Sequence, residues 1–209
     1  MRKAVRDIFG VQAFGPAVFY TFPGGLRFAL GEGGTPFDQV LTALRKASTV
    51  CRDVFADADV LTVCLGQYAP DTEFAVRSTL RQLALAGVFI PRERDIHIDV
   101  QACDAAIVGG ADVRWLSIVF ALPVSKLENV LWCAVATNVN IVPNPGCRIH
   151  LVNCAAQLMV HPYDERGMDV VGPNRALLGQ LYRKHNAWLL DYDRGAMDAA
   201  FTTVSSSEF

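Results

Sequence analysis

The sequence has no glycine-rich phosphate loop, no paired Cys-x-x-Cys knuckles, no aromatic and basic nucleic-acid motif, and no unbroken apolar run long enough to span a bilayer. Each absence removes a class. Without the glycine loop there is no phosphate cradle at a helix start, which argues against the common nucleotide-binding folds. Without the knuckles, structural zinc loses its strongest spacing signal. The most hydrophobic region, residues 115 to 142, is interrupted by Pro123, Lys126, Glu128 and Asn129 and does not read as a membrane span. Charge of one sign is also missing: 19 Lys and Arg against 21 Asp and Glu leave a formal charge of -2, with no general attraction to a phosphate backbone. The opening MRKAVRDIFG reaches Asp7 before any long apolar run and makes a poor signal peptide. A cytoplasmic location is therefore expected, with no membrane partner, no nucleic-acid partner and no cofactor.

What is present suits a folded chain. Hydrophobic residues make up 52% of the 209 and charged residues 19%, enough apolar surface for one substantial core. A single globular domain over 1 to 209 is expected, with a flexible tail at 202 to 209. The six cysteines, Cys51, Cys64, Cys103, Cys133, Cys147 and Cys154, are scattered beside apolar residues, the pattern of buried thiols in a reducing compartment.

Periodicity predicts the elements. A short helix is expected at 2 to 9 and a strand at 25 to 30, where Leu26, Phe28 and Leu30 alternate with Arg27 and Ala29. The clearest helix is 36 to 56, with an apolar stripe of Phe37, Val40, Leu41, Leu44, Ala47, Val50, Cys51, Val54 and Phe55, begun by Thr35, Pro36 and Asp38. Strands are expected in DVLTVCLG, IHIDV, RWLSIVFALP and CRIHLVNC, and helices in DTEFAVRSTLRQLALAG and after a Ser125/Glu128 capping box. Last come a hairpin and a final helix running from Pro173 to Trp188. The expected class is α+β, helices on a mixed, mostly antiparallel sheet with a C-terminal hairpin and final helix. An α/β arrangement of the first half is the competing architecture.

The hairpin contains the densest chemistry, HPYDERGMDVVG at 161 to 172. In PYDERG, proline, aspartate and glycine supply what a tight connection needs. Asp164, Glu165 and Arg166 can exchange charge-assisted bonds there, or one carboxylate can hold Arg175 or Arg183 on the last helix. A catalytic alternative makes His161 a general base oriented by Asp164 or Asp169, with Glu165 and Arg166 beside it, but it lacks a recognisable nucleophile. A similar string recurs: YDERGMD at 163 to 169 is followed by YDRGAMD at 192 to 198. Arg27, in an apolar strand, needs a carboxylate, with Asp53, Asp164 and Asp169 as candidates. The residues expected to form a binding or structural cluster are Arg27, Tyr163, Asp164, Glu165, Arg166, Gly167, Asp169, Trp188, Asp191, Tyr192, Asp193 and Arg194.

HPYDERGMDVVG, LYRKHNAWLLDYDR at 181 to 194, and the earlier FPGGLRFALG and FADADV together resemble domain of unknown function family 3885, over about residues 20 to 201. In that family's usual form a second aspartate stands where this chain has Glu165, and an acidic residue where it has Ala29. The first change preserves charge; the second removes a partner for Arg27. The resemblance implies a bacterial cytoplasmic protein and supplies no activity.

Two other groupings carry less. Cys147, His150, Cys154 and His161 contain both zinc-ligand types, but strand alternation points Cys147 away from His150 and Cys154, so no metal is expected. His97 and Asp99 share a polar strand face that solvent alone explains. Three readings follow: a non-catalytic protein-binding or immunity-type domain with a protein partner, a small hydrolase or nuclease-like enzyme using His161, Asp164, Glu165 and Arg166, and a purely structural role for the whole string.

Overall fold

The computed structural model describes residues 1–15, 17–69, 73–101 and 113–202. Seven helices and seven strands lie among them: α1 Arg2–Phe9, α2 Val18–Thr21, β1 Leu26–Ala29, α3 Pro36–Val54, β2 Val60–Ala69, α4 Glu73–Leu85, β3 Arg94–Gln101, β4 Val113–Pro123, α5 Leu127–Val135, β5 Arg148–Asn153, β6 Leu158–Asp164, β7 Gly167–Val171, α6 Arg175–Lys184 and α7 Arg194–Thr202. The class is α+β. The strands form one sheet in the order β1-β7-β6-β5-β2-β4-β3. Every pairing is antiparallel, so the expected mixed sheet is in fact uniform, and the α/β alternative for the first half is overturned: β1 and β2 are separated by three later strands. Cys103, Gly109 and Gly110, which the sequence suggests as an ordinary turn, and all of the expected tail but Thr202 fall outside the described residues.

Alternation divides the sheet into two apolar faces. On one, Leu26, Phe28, Leu61, Val63, Phe120, Ile149, Leu151, Val160, Met168 and Val170 form the main core with the later helices. On the other, Cys64, Val119, Val152, Met159 and Val171 are covered by Val5, Phe9, Ala13 and Val18 of the N-terminal segment. A helix layer and an N-terminal layer thus sandwich the sheet.

Helix α3 starts as expected: the Thr35 hydroxyl accepts from the Asp38 N–H at 3.2 Å, and Asp38 accepts from the Thr35 N–H at 3.1 Å. Its buried face is rotated from the expected stripe. Phe37 and Leu41 are exposed, while Lys46 is buried, because its ammonium caps the Ala29 carbonyl at 3.1 Å and pairs with Glu32 at 3.0 Å. The Ser125/Glu128 box does not form: α5 begins at Leu127 after a 3-10 turn, and Glu128 pairs with Arg52 instead. The helix expected to reach Trp188 ends at Lys184. Leu189 and Leu190 leave it to bond along the outer edge of β1, at Phe28 and at the Arg27 carbonyl, before α7 begins.

Candidate functional site

Strand register lines up the polar residues of the N-terminal face in one row. Arg27 on β1 is opposite Asp169 on β7, and Asp169 is opposite His161 on β6. The His161 ring stacks on His150 of β5 at 4.3 Å between centroids. His150 is opposite Cys64 on β2, Cys64 is opposite Val119 on β4, and Val119 is opposite Asp95 on β3. The row therefore crosses all seven strands. Its acidic members hold the covering layer: Asp169 accepts the Phe19 N–H at 3.3 Å, and Asp95 accepts the Arg2 N–H at 2.7 Å.

Arg27 is the most heavily partnered member. Its Nε meets Asp169 Oδ1 at 2.7 Å, one terminal nitrogen meets Asp169 Oδ2 at 3.1 Å, and the other meets Asp193 Oδ2 at 2.9 Å and the Tyr20 hydroxyl at 3.0 Å. The guanidinium carbon also sits over the rings of Phe19, Tyr20 and Tyr163, at 4.7, 4.6 and 5.9 Å. Burial works against its charge, but the bonds and charges of Asp169 and then Asp193 outweigh that and raise its pKa. Burial lifts the Asp169 carboxyl above its ordinary range against the pull of Arg27. We hold the pair to be ionised, since two guanidinium contacts and a backbone N–H converge on Asp169. Asp169 and Asp193 come one from each of the two similar strings, so Arg27 joins YDERGMD to YDRGAMD. Of the carboxylates considered for Arg27 only Asp169 is used, and Asp193 had not been foreseen.

The two histidines are inside the protein, 2% and 3% exposed. His150 Nε2 lies 3.1 Å from the Gly15 carbonyl, whereas His161 Nδ1 is buried without a hydrogen-bond partner among the described residues. Burial, with the nearby Arg148 charge, pushes His150 down to about 3; burial, His150, Arg148 and Arg27 hold His161 well below its ordinary value. Both rings are neutral at pH 7. Burial pushes the neighbouring Cys64 thiol up, so no thiolate stands beside them.

The hairpin's charged groups face elsewhere. Strand β6 continues through Asp164, leaving a two-residue turn at Glu165 and Arg166, with a register irregularity between Pro162 and Asp164. Asp164 accepts from the Arg166 N–H at 2.8 Å, from the Arg166 guanidinium at 2.5 and 3.0 Å, and from Asn138 at 2.8 Å. The Arg166 side chain otherwise faces solvent, and buried Glu165 Oε2 has no described partner. The Tyr163 ring crosses Gly167 so closely that a Cβ there would lie 1.8 Å from its hydroxyl. His161, Asp164 and Arg166 therefore do not converge. Arg175 of α6 bonds the Gly24 and Ala200 carbonyls instead of a hairpin carboxylate. In and just ahead of the second string, Trp188 stacks on His185 at 5.2 Å, Arg194 holds the Asn186 carbonyl and Asp198, and Asp191 and Tyr192 face solvent.

Cys147 packs in the helix-side core, away from His150 and His161, and among the described residues no group of three metal-ligating side chains is assembled. His97 Nε2 and Asp99 Oδ1 are 2.7 Å apart on a half-exposed face. Sequence reasoning missed Tyr20 and the His150–His161 stack, and it offered Asp53 to Arg27, whereas Asp53 holds Lys184 at 2.7 Å and His185 at 2.6 Å beside an open groove of about 860 Å³. The histidine stack had a usable signal: the Asn153↔Leu158 turn register, counted back three pairs, sets His150 beside His161.

An α+β sheet sealed by an internally paired arginine, with His150 and His161 buried beneath the N-terminal layer, defines a class by architecture alone. The family model described as Domain of unknown function (DUF3885) matches residues 1–193, and the chain belongs to that family. The match begins ahead of residue 20 and ends at Asp193, the second carboxylate on Arg27. No match is found among curated proteins or among solved structures. No helix among the described residues is long and apolar enough to cross a membrane.

Proposed function

We propose that the chain is a non-catalytic protein-binding domain of the bacterial cytoplasm, of the inhibitor or immunity type that acts by occupying another polypeptide's surface. One observation carries this reading: the apolar side chains of Leu80, Leu85, Phe89, Ile96 and Ile98 stand exposed along α4, the turn after it and β3, while Asp169 and Asp193 of the two strings are spent on Arg27 and Asp164 on Arg166. Exposed apolar surface of this kind favours a protein partner. A hydrolase built on His161, Asp164, Glu165 and Arg166 would need their ends to share a pocket.

Two measurements test the reading. With a photo-crosslinking residue in place of Phe89, crosslinks to polypeptide are expected in cells, and none from exposed Asp7. Turnover of ester, phosphodiester or peptide reporters that disappears in a folded His161→Gln variant is the result that would move the enzyme ahead.

A further inference from the structure

The two edges of the sheet are finished differently. At β1 the exposed edge is four residues long and is bonded by Leu189 and Leu190. At β3 it is eight residues, Arg94–Gln101, in unbroken register with β4, and no backbone group of the described residues bonds its outer side. It carries no proline, lysine or bulge, three of the devices that prevent strand addition, and its charged side chains are engaged locally: Arg94 with the Pro91 carbonyl, Asp95 with the Arg2 N–H and Asp99 with His97. Beside it, α4 stands back from the sheet and leaves an apolar groove of about 430 Å³ lined by Leu80, Phe89, Ile96, Leu116 and Ile118. Ile96 and Ile98 are each 54% exposed.

Resting on the protein-binding reading above, we propose that this edge takes the β3 edge of a second copy, antiparallel about a two-fold axis at Ile98. The strand is self-complementary in that register. Ile98 meets Ile98 on the helix side, and on the other face each His97 stands opposite the partner's Asp99, extending the His97–Asp99 contact already made within the strand. An axis at His97 would set Asp95 opposite Asp99, like charges that repel, and Asp95 is already engaged with the Arg2 N–H. The product is a fourteen-stranded sheet, twice the seven strands of one copy. Its two apolar strips become continuous.

Sedimentation of the full chain at rising concentration should move the mass from 22.8 kDa toward twice that value. Ile98→Lys, at an exposed position, should keep the fold by circular dichroism and weaken dimerisation at least about tenfold, as a charge on a strand edge does. Amide exchange in β3 should slow with concentration, which a dimer through another surface would not produce. A chain still monomeric at several hundred micromolar overturns the proposal, and so does a dimer indifferent to Ile98→Lys. Crosslinks from Phe89 to a different polypeptide, with the chain monomeric, would overturn the second-copy assignment and leave the protein-binding reading standing.

Discussion

At the scale of single residues, Arg27 combines a large desolvation cost with full compensation. Its side chain is 13% exposed and its partner Asp169 is 1% exposed, so neither charge has water to fall back on. Arg27→Met should cost about 3 to 5 kcal/mol, since it strands two carboxylates rather than simply losing contacts. Urea unfolding would measure it, and a loss under about 1 kcal/mol would mean that Asp169 and Asp193 find other partners. Gly167 works by a different route. Its φ is not in the left-handed region, so conformational freedom is not what the position uses. The ring of Tyr163 occupies the place of a Cβ. Gly167→Ala should cost about 1 to 3 kcal/mol through that overlap and change the near-ultraviolet tyrosine signal; an unchanged midpoint would show that the ring can move freely. The need of Arg27 for a carboxylate was legible in an apolar strand. Asp193 was not, because reaching it depends on where the chain turns after α6.

At the scale of elements, what could be read from the sequence was local. The α3 start and the hairpin strands follow from spacing over a few residues, and both are present. Thr35→Ala should therefore cost about 1 kcal/mol in the same unfolding experiment, and no loss would mean that the box contributes nothing net. The chemistry of the hairpin was misplaced for a physical reason. Read as a six-residue loop, PYDERG allows all its side chains to gather, but the strand runs through Asp164 and strand geometry sets their directions. His161 then faces the N-terminal layer, and Asp164 reaches Asn138. Lys46 defeated the helical stripe similarly, since periodicity cannot anticipate a lysine drawn inward by the Ala29 carbonyl.

Across the whole molecule, the histidine stack sets how stability depends on acid. In the unfolded chain both imidazoles bind protons near the ordinary value of about 6.5, whereas folded His150 resists until about 3 and His161 stays well below its ordinary value. The unfolded state binds more protons in that interval. Stability from these groups is thus complete above pH 6.5 and declines as pH falls toward 3. At pH 5.5, below the unfolded value, the loss from His150 should be on the order of 1 kcal/mol, and His161 adds to it in the same direction. Urea midpoints at pH 7.5 and 5.5 would show it, and a His150→Gln/His161→Gln variant should be flatter over that range. Equal slopes would place the sensitivity elsewhere. Metal is not expected to matter: a chelator should leave the wild-type midpoint where it is, because Cys147 and the two histidines lie on opposite faces of the sheet.

The pairing of β1 with β7 also governs when the chain can finish folding during its own synthesis. Leu26 meets Val170, and Arg27 meets Asp169 142 positions further along the chain, and Asp193 comes later still. Such long-range pairings are slow because loop entropy is lost before the contacts form. A nascent chain ending before Asp169 carries an arginine made early whose counter-charges do not yet exist. The first strand must wait for the last, so closure of the sheet should come as a late, single event after residue 193 has left the ribosome. Protease resistance of arrested nascent chains would rise abruptly there instead of growing strand by strand.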